Sequence, residues 1–252
     1  MGHPAGAVVQ TTHLWGQLGL RELVGSYQFE EILVSGTSDR GFKSHPPHHR
    51  SEHSDKGSTL ARKITVNIYM TLDGYGEFPK YPGSDIQSKE PGEGFTDMWI
   101  NRYDSVDTVL YGRRSFEGHL AYHSESARKP SDPKYLFEFS RFLDRTQKIV
   151  LSHSLKKTEW QNSRIMKGNL NRIVARLKRE QGKDIIVDAG PLLVQEFIQR
   201  GLADDYRMMV WPVILGRGKH YWGSMLKQQT LNLLSVKSLK QGELMLHYET
   251  IR

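Results

Sequence analysis

The chain has 252 residues, with 35 basic and 28 acidic side chains, a formal net charge of +7 and no cysteine. Its length suits one domain with an extension, and the lack of cysteine excludes disulfides, thiolate metal sites, iron–sulfur clusters and cysteine nucleophiles. It has no apolar run of the roughly 18–20 residues that cross a bilayer and no secretion-signal pattern, so we expect a cytoplasmic protein without a membrane partner.

Residues 1–60 differ in composition from the rest of the chain. They hold six of the eleven histidines, four of them in a His-Pro tract at residues 45–53. Histidines in such a polar tract lack the supporting hydrogen bonds that orient metal ligands, so we expect a solvated tail and no metal site. The sequence therefore predicts a flexible N-terminal extension over residues 1–60 and a folded domain over residues 61–252.

The positive charge belongs to the predicted domain. Residues 1–60 contain five basic and six acidic side chains, and the excess over residues 61–252 is dispersed, with its densest stretch at residues 172–179. Dispersed charge does not favour a nucleic-acid partner. A small anionic ligand, such as a phosphorylated cofactor, suits the balance better.

The predicted domain begins with a strand. Apolar and polar residues alternate from Ile64 to Met70, and Asp73-Gly74 then interrupts the pattern. Asn169 is the predicted N-cap of a helix whose apolar residues recur at helical spacing over residues 170–177. A continuous apolar run at residues 185–187 predicts a strand buried on both faces. The other predicted elements are, in chain order, a helix over 97–103, a strand over 108–111, a helix from 113, a helix over 135–142, strands over 148–151 and 163–167, a helix over 192–200, and strands over 206–213, 231–239 and 243–251.

The order of these elements predicts the fold class. Strands alternate with helices through most of the domain, and strands that pair locally close it. We therefore expect an α/β fold of three layers, with a mainly parallel central sheet, helices on both faces and an antiparallel C-terminal edge. Ligands of such sheets bind beyond the carboxyl ends of the strands, which directs attention to three junctions at Asp73-Gly74, Gly112-Arg113 and Ala189-Gly190.

Two of these junctions have the form strand, glycine, helix. Glycine lets the backbone approach a ligand closely, and the free N–H groups of a helix start attract anions. At Gly112 the guanidinium of Arg113 and the hydroxyl of Ser115 strengthen this interpretation. Taken singly, each junction is better explained as an ordinary cap or turn, and the same holds for Asp73 in an Asp-Gly turn.

The combination of segments in order gives a more specific interpretation. Residues 63–251 resemble the dihydrofolate reductase-like superfamily, in particular the branch that contains the C-terminal reductase domain of bacterial riboflavin biosynthesis. The matching segments are Thr71-Leu72-Asp73-Gly74-Tyr75, residues 110–117 around Gly112, residues 148–152 ending at Ser152, residues 184–190, and residues 201–206 with residues 212–218.

The resemblance implies an NADPH-dependent reductase of a small heterocyclic substrate, similar to 5-amino-6-(5-phosphoribosylamino)uracil reductase. It also implies a role for Asp73 at the substrate pocket, as the catalytic carboxylate. The implied cofactor-binding residues are Gly112, Arg113 and Ser115 at the phosphates, Ser152 near the adenosine 2′-phosphate, and Ala189 and Gly190 at the pyrophosphate. Trp99 is expected in the core, and Tyr75 and Tyr81 are candidates to stack on the substrate ring.

Departures from the family pattern keep other functions open. Ala189 stands where glycine is usual, which favours a non-catalytic nucleotide-binding protein that retains the fold; dihydrofolate reduction is a further alternative. The chain has no cysteines for the zinc deaminase domain that commonly accompanies the riboflavin reductase, so a free-standing reductase with another substrate is also open. The resemblance further implies a homodimer formed through the C-terminal strands, since an exposed edge strand must be paired or protected.

Overall fold

A computed structural model describes residues 62–78, 90–223 and 228–251. The predicted extension over residues 1–60 and the candidate ring of Tyr81 lie outside the described residues. Their roles stay predictions.

Within the described part of the chain, eight strands and five α-helices make up the domain. In chain order they are β1 (Ile64–Thr71), α1 (Glu93–Met98), β2 (Val106–Gly112), α2 (Arg113–His123), α3 (Lys134–Arg145), β3 (Gln147–Leu151), β4 (Ser163–Met166), α4 (Leu170–Arg179), β5 (Asp184–Asp188), α5 (Pro191–Gln199), β6 (Asp205–Trp211), β7 (Leu231–Ser238) and β8 (Leu244–Thr250). The predicted strands are confirmed to within about two residues at each end.

The helix predicted over residues 97–103 is wrong in its bounds. The α-helix there is α1, which ends at Met98, and a single 3₁₀ turn follows over Ile100–Arg102. The backbone leaves the helical region at Trp99, with φ −128° and ψ −62°. The Trp99 indole is buried and donates a hydrogen bond to the Tyr69 hydroxyl at 2.8 Å, so tertiary packing overrides the local pattern.

The strands form one sheet in the order β4-β3-β2-β5-β1-β6-β8-β7. The six strands from β4 to β6 are parallel, and β8 pairs antiparallel with both β6 and β7. The predicted mainly parallel sheet with an antiparallel C-terminal edge is therefore confirmed. Because β5 lies between β1 and β2, the order in which the chain adds strands to the sheet reverses there. Ligands of such sheets bind at that reversal.

Both faces of the sheet are covered, as the three-layer prediction requires. On β1, the side chains of Ile64, Val66 and Ile68 are fully buried in the layer that includes residues of α4 and α5, and Tyr69 packs with the layer that includes residues of α1 to α3. The predicted cap of α4 is confirmed, since the Asn169 side chain accepts a hydrogen bond from the backbone N–H of Arg172. Alternating residues on one strand thus hold the helices of both layers in place.

Candidate functional site

The two strand, glycine, helix junctions lie side by side. Gly112 ends β2, and Gly190 follows β5 by two residues. The strands β2 and β5 are paired neighbours, with Tyr111 opposite Asp188. A Cβ atom added to Gly112 would lie 3.6 Å from Cδ2 of Leu193 on α5, so the start of α2 approaches α5 directly. The structure therefore brings both predicted phosphate sites side by side at the carboxyl edge of the sheet, and we call the space in front of them the cleft.

Both helix starts can receive an anion. Gly112 and Gly190 are the N-cap residues of α2 and α5, and neither helix start has a side-chain cap. The first-turn N–H groups of α2 and the positive ends of both helix dipoles therefore remain for a ligand. In α5, Pro191 has no N–H and the N–H of Leu193 donates to the Gly190 carbonyl at 3.2 Å, so the N–H of Leu192 is the donor left in its first turn. A Cβ atom added to Gly190 would meet nothing within 4 Å. The space in front of this turn is open.

A polar cluster extends the cleft towards β3. Arg113 donates a hydrogen bond from Nη1 to Oγ of Ser154 at 2.9 Å and pairs through Nε with Glu117 at 2.6 Å. The Ser154 hydroxyl lies 3.5 Å from that of Ser152, which accepts a hydrogen bond from the N–H of Leu155. Arg113 and Ser152, predicted from distant parts of the sequence, thus belong to one group. Ser115 lies in the first turn of α2 and is partly exposed.

Ala189 does not obstruct the cleft. The residue is buried, and it belongs to the apolar core that includes Val194 and Phe197 of α5. Among the described residues other than glycine, only Asn162 has a positive φ, so the backbone at Ala189 carries no left-handed strain. The methyl group packs with the core, and Gly190 is the residue that borders open space.

Asp73 holds a loop. Its carboxylate accepts hydrogen bonds from the Thr71 hydroxyl at 2.6 Å and from the backbone N–H groups of Leu215 and Gly216 at 3.0 and 2.7 Å. The hydrogen bond from Thr71, aided by these N–H groups, lowers the pKa of Asp73 to about 2. The carboxyl is therefore ionised at neutral pH and cannot supply a proton. A catalytic role for Asp73 stays a prediction.

We expect Asp73→Asn to loosen the loop over residues 212–219. The amide would turn an N–H group towards the backbone donors of Leu215 and Gly216, which would lose an acceptor. Trypsin should then cleave the native protein after Arg217 or Lys219 about tenfold faster, because local opening exposes those bonds. Asp132→Asn is the matched control. Asp132 also accepts a backbone hydrogen bond, from Lys129, but this contact lies outside the loop over residues 212–219. Equal cleavage rates in wild type and Asp73→Asn would contradict the anchoring role.

A histidine and a carboxylate that the sequence interpretation missed meet beside this cleft. Nε2 of His119, on α2, lies 2.9 Å from Oδ2 of Asp188, at the end of β5, and their side chains are 23% and 11% exposed. Nδ1 of His119 lies 3.4 Å from the hydroxyl of Tyr111. Burial, followed by the charge of Asp188, raises the pKa of Tyr111 well above its usual value. That hydroxyl therefore keeps its proton.

The only signal for this pair in the sequence is weak. His119 follows Gly112 by seven residues, which places both on one side of a helix. No local spacing links it to Asp188, which lies 69 positions further along the printed sequence.

Aromatic rings pack together at the neighbouring ends of β1 and β6. The ring of Phe78 lies 5.1 Å from that of Trp211, and Tyr69 stacks on Trp211 at 6.4 Å. Trp99 is buried, as expected. Tyr75 packs edge-on against His220 at 4.9 Å. The rings of Tyr69, Phe78 and Trp211 thus form an aromatic cluster at β1 and β6, and β1 is paired with β5, which carries Asp188.

Two classes of site find no support in the part of the chain that the structure describes. No three histidine, aspartate or glutamate side chains come together there as a metal site would require. Of the helices described, none is both long enough and apolar enough to traverse a bilayer.

Comparison with known proteins gives a family and a fold. A family model, the RibD C-terminal domain, matches residues 62–245. The uncharacterized protein YyaP of Bacillus subtilis (strain 168) is 31% identical over 188 residues, which cover 74% of this chain and 94% of that protein.

Two solved structures share the fold. A candidate riboflavin biosynthesis protein from Shewanella sp. PV-4 superposes with a TM-score of 0.54 at 19% identity, over 75% of this chain and 99% of that one. A pyrimidine reductase-like protein from Corynebacterium diphtheriae gives a TM-score of 0.50 at 14% identity, over 76% and 92%. Together with the family model, these findings confirm the resemblance drawn from the sequence.

Proposed function

The chain belongs to the RibD C-terminal domain family, and we propose that it is an NADPH-dependent reductase of a small heterocyclic substrate. One observation supports this most directly: the uncapped helix starts at Gly112 and Gly190 face a single cleft beside the Arg113 guanidinium. Paired helix starts suit the diphosphate of a dinucleotide, and a guanidinium beside them suits a further phosphate group.

The residues around the cleft fit this cofactor. Backbone N–H groups at Gly112 and Gly190 would hold the diphosphate, and the open space in front of Gly190 leaves room for it. Arg113, Ser152 and Ser154 would bind the 2′-phosphate that distinguishes NADPH from NADH. When bound, the dihydronicotinamide supplies a hydride. The protein positions the reactants and excludes water.

The substrate class follows from the aromatic cluster and from the relatives. Phe78, 78% exposed and packed on the rings of Tyr69 and the buried Trp211, presents a ring on which a heteroaromatic ring can stack. The names of the two solved relatives refer to riboflavin biosynthesis and to pyrimidine reduction. Both support a nitrogen heterocycle.

The non-catalytic alternative loses the feature that favoured it. That hypothesis rested on Ala189 in place of a glycine, and the added methyl group packs with the core instead of entering the cofactor space. A folded cleft with an unobstructed Gly190 turn favours a working cofactor site.

The proposal is tested by titrating the protein with NADPH while following tryptophan fluorescence. We expect saturable binding with a dissociation constant of about 1–100 μM, in the usual range for enzyme ligands. NADH should bind at least about tenfold more weakly, because it lacks the phosphate that Arg113 would contact. No saturation at millimolar NADPH would contradict the proposed function.

We also propose that the protein is a homodimer in which a second copy covers β7. This strand is the C-terminal edge of the sheet, and its residues Leu233, Leu234 and Val236 are 49%, 45% and 58% exposed. The unpaired backbone groups and apolar side chains of an exposed edge strand favour pairing with another chain. Sedimentation velocity should give a dimer for wild type and for the exposed control Lys167→Asp, and a monomer for Val236→Asp. A monomeric wild type at micromolar concentration would contradict the proposal.

A further inference from the structure

The pair formed by His119 and Asp188 has a position that the proposed cofactor site does not explain. Asp188 is the last residue of β5 and directly precedes the Ala189-Gly190 turn. His119 lies on α2, two helical turns after the Gly112 junction. His119 is therefore on the helix that begins at Gly112, and Asp188 directly precedes the turn at Gly190; these two places would hold the diphosphate. No phosphate needs a carboxylate there, since like charges repel.

The surroundings orient the imidazole. The pKa of Tyr111 is raised by its complete burial and by Asp188, so its hydroxyl keeps a proton that it can donate to Nδ1 of His119. In the neutral ring the remaining N–H group is then Nε2, which lies against Oδ2 of Asp188. A proton thus sits between the imidazole and the carboxylate.

The charge of Asp188 also acts on three buried tyrosine hydroxyls. After burial, it is the next cause that raises the pKa values of Tyr69 and Tyr221 as well as that of Tyr111. Three phenols that stay protonated therefore lie near one carboxylate. The Trp99 ring, 6.2 Å from that of His119, adds an apolar wall. Such a site holds a proton apart from bulk water.

The other carboxylate predicted at this edge cannot take this role. Asp73 is held by the Thr71 hydroxyl and two backbone N–H groups, with its pKa at about 2. It carries no proton near neutral pH. The imidazole of His119 can take up an additional proton beside the Asp188 carboxylate, and the pair retains some exposure.

We infer that the His119–Asp188 pair supplies the proton for a reduction in which the acceptor is a polar double bond, C=N or C=O. The inference rests on the proposed reductase function. The acceptor carbon gains a C–H bond from the hydride, the π electrons move to the nitrogen or oxygen, and that atom takes a proton from the imidazolium form of His119. The imidazole is left neutral, with its Nε2–H group against the Asp188 carboxylate. The products are an amine or alcohol and oxidised cofactor, and the pair regains its proton from water. An acceptor that generates this negative charge needs a positioned acid.

The first experiment uses the full chain with NADPH and two probes, the imine 2-methyl-1-pyrroline and pyridine-3-carboxaldehyde. Absorbance at 340 nm follows turnover, and tryptophan fluorescence follows NADPH binding. We expect wild type to reduce at least one probe, and Asp188→Asn and His119→Gly to lower kcat about 100-fold with NADPH affinity changed less than threefold. Added imidazole should restore part of the activity of His119→Gly, which a purely structural role would not allow.

The matched control is His247→Gly. His247 also contacts a carboxylate, Asp205, at 3.6 Å, but at the amino end of β6 on the opposite edge of the sheet. Its activity should equal that of wild type, with or without imidazole. If NADPH binds and Asp188→Asn and His119→Gly retain turnover within threefold of wild type, the inference is overturned. If NADPH binds and wild type reduces neither probe, the assigned acceptor class is overturned.

A second readout needs no turnover. In ¹⁵N-resolved spectra of the histidine rings, neutral His119 should carry its proton on Nε2, and Tyr111→Phe should weaken this preference. A proton on Nδ1 would overturn the arrangement inferred for the pair. Failure of wild type to bind NADPH would instead refute the proposed function, so the two failures are distinguishable.

Discussion

Replacing Gly190 with valine should abolish cofactor binding without unfolding the protein. At this residue φ is −69° and ψ is 168°, a conformation open to any residue, and an added Cβ meets nothing within 4 Å. The side chain would therefore stand in the space in front of the α5 start, where the diphosphate is proposed to lie. We expect the dissociation constant for NADPH to rise at least about 100-fold, because a diphosphate cannot approach N–H groups covered by an isopropyl group.

Gly118→Val is the control for this experiment. Gly118 lies on α2, and a Cβ there also meets nothing within 4 Å. Fluorescence titration should give wild-type affinity for Gly118→Val, and thermal melting should show both variants folded. Unchanged NADPH affinity in a folded Gly190→Val would remove the diphosphate from this turn.

Replacing Arg113 with alanine should remove the preference for NADPH over NADH. The guanidinium is half-exposed and already donates to Ser154, which places it beside Ser152. A charge-assisted hydrogen bond contributes about 1.5–3 kcal/mol, which corresponds to about 10–100-fold in affinity. We expect this loss for NADPH and less than a threefold change for NADH.

The comparison of two cofactors makes the result specific. A general loss of folding would weaken both, whereas loss of a 2′-phosphate contact weakens NADPH alone. Arg141→Ala, an exposed arginine on α3, should leave both affinities unchanged. Equal losses for NADPH and NADH in Arg113→Ala would place this residue at the diphosphate instead.

The fold was largely predictable because its elements carry strong local patterns. Alternation from Ile64 to Met70 marks a strand whose two faces meet different layers, and the Ile185–Val187 run marks one buried on both sides. The cap at Asn169 marks the start of α4. The bounds of α1 were not predictable, because Trp99 leaves the helix to reach the Tyr69 hydroxyl, a contact between residues 30 positions apart.

By itself, the sequence determined the order of strands and helices, and with it the edge of the sheet at which Gly112 and Gly190 meet. This was possible because strand and helix ends are local features, and the parallel sheet places strand ends together. Only the tertiary structure decided which partner each side chain contacts there. It assigned the Asp73 carboxylate to a loop, directed the Ala189 methyl group to the core and paired His119 with Asp188. Such pairings depend on distances between residues far apart in the chain, which no local periodicity encodes.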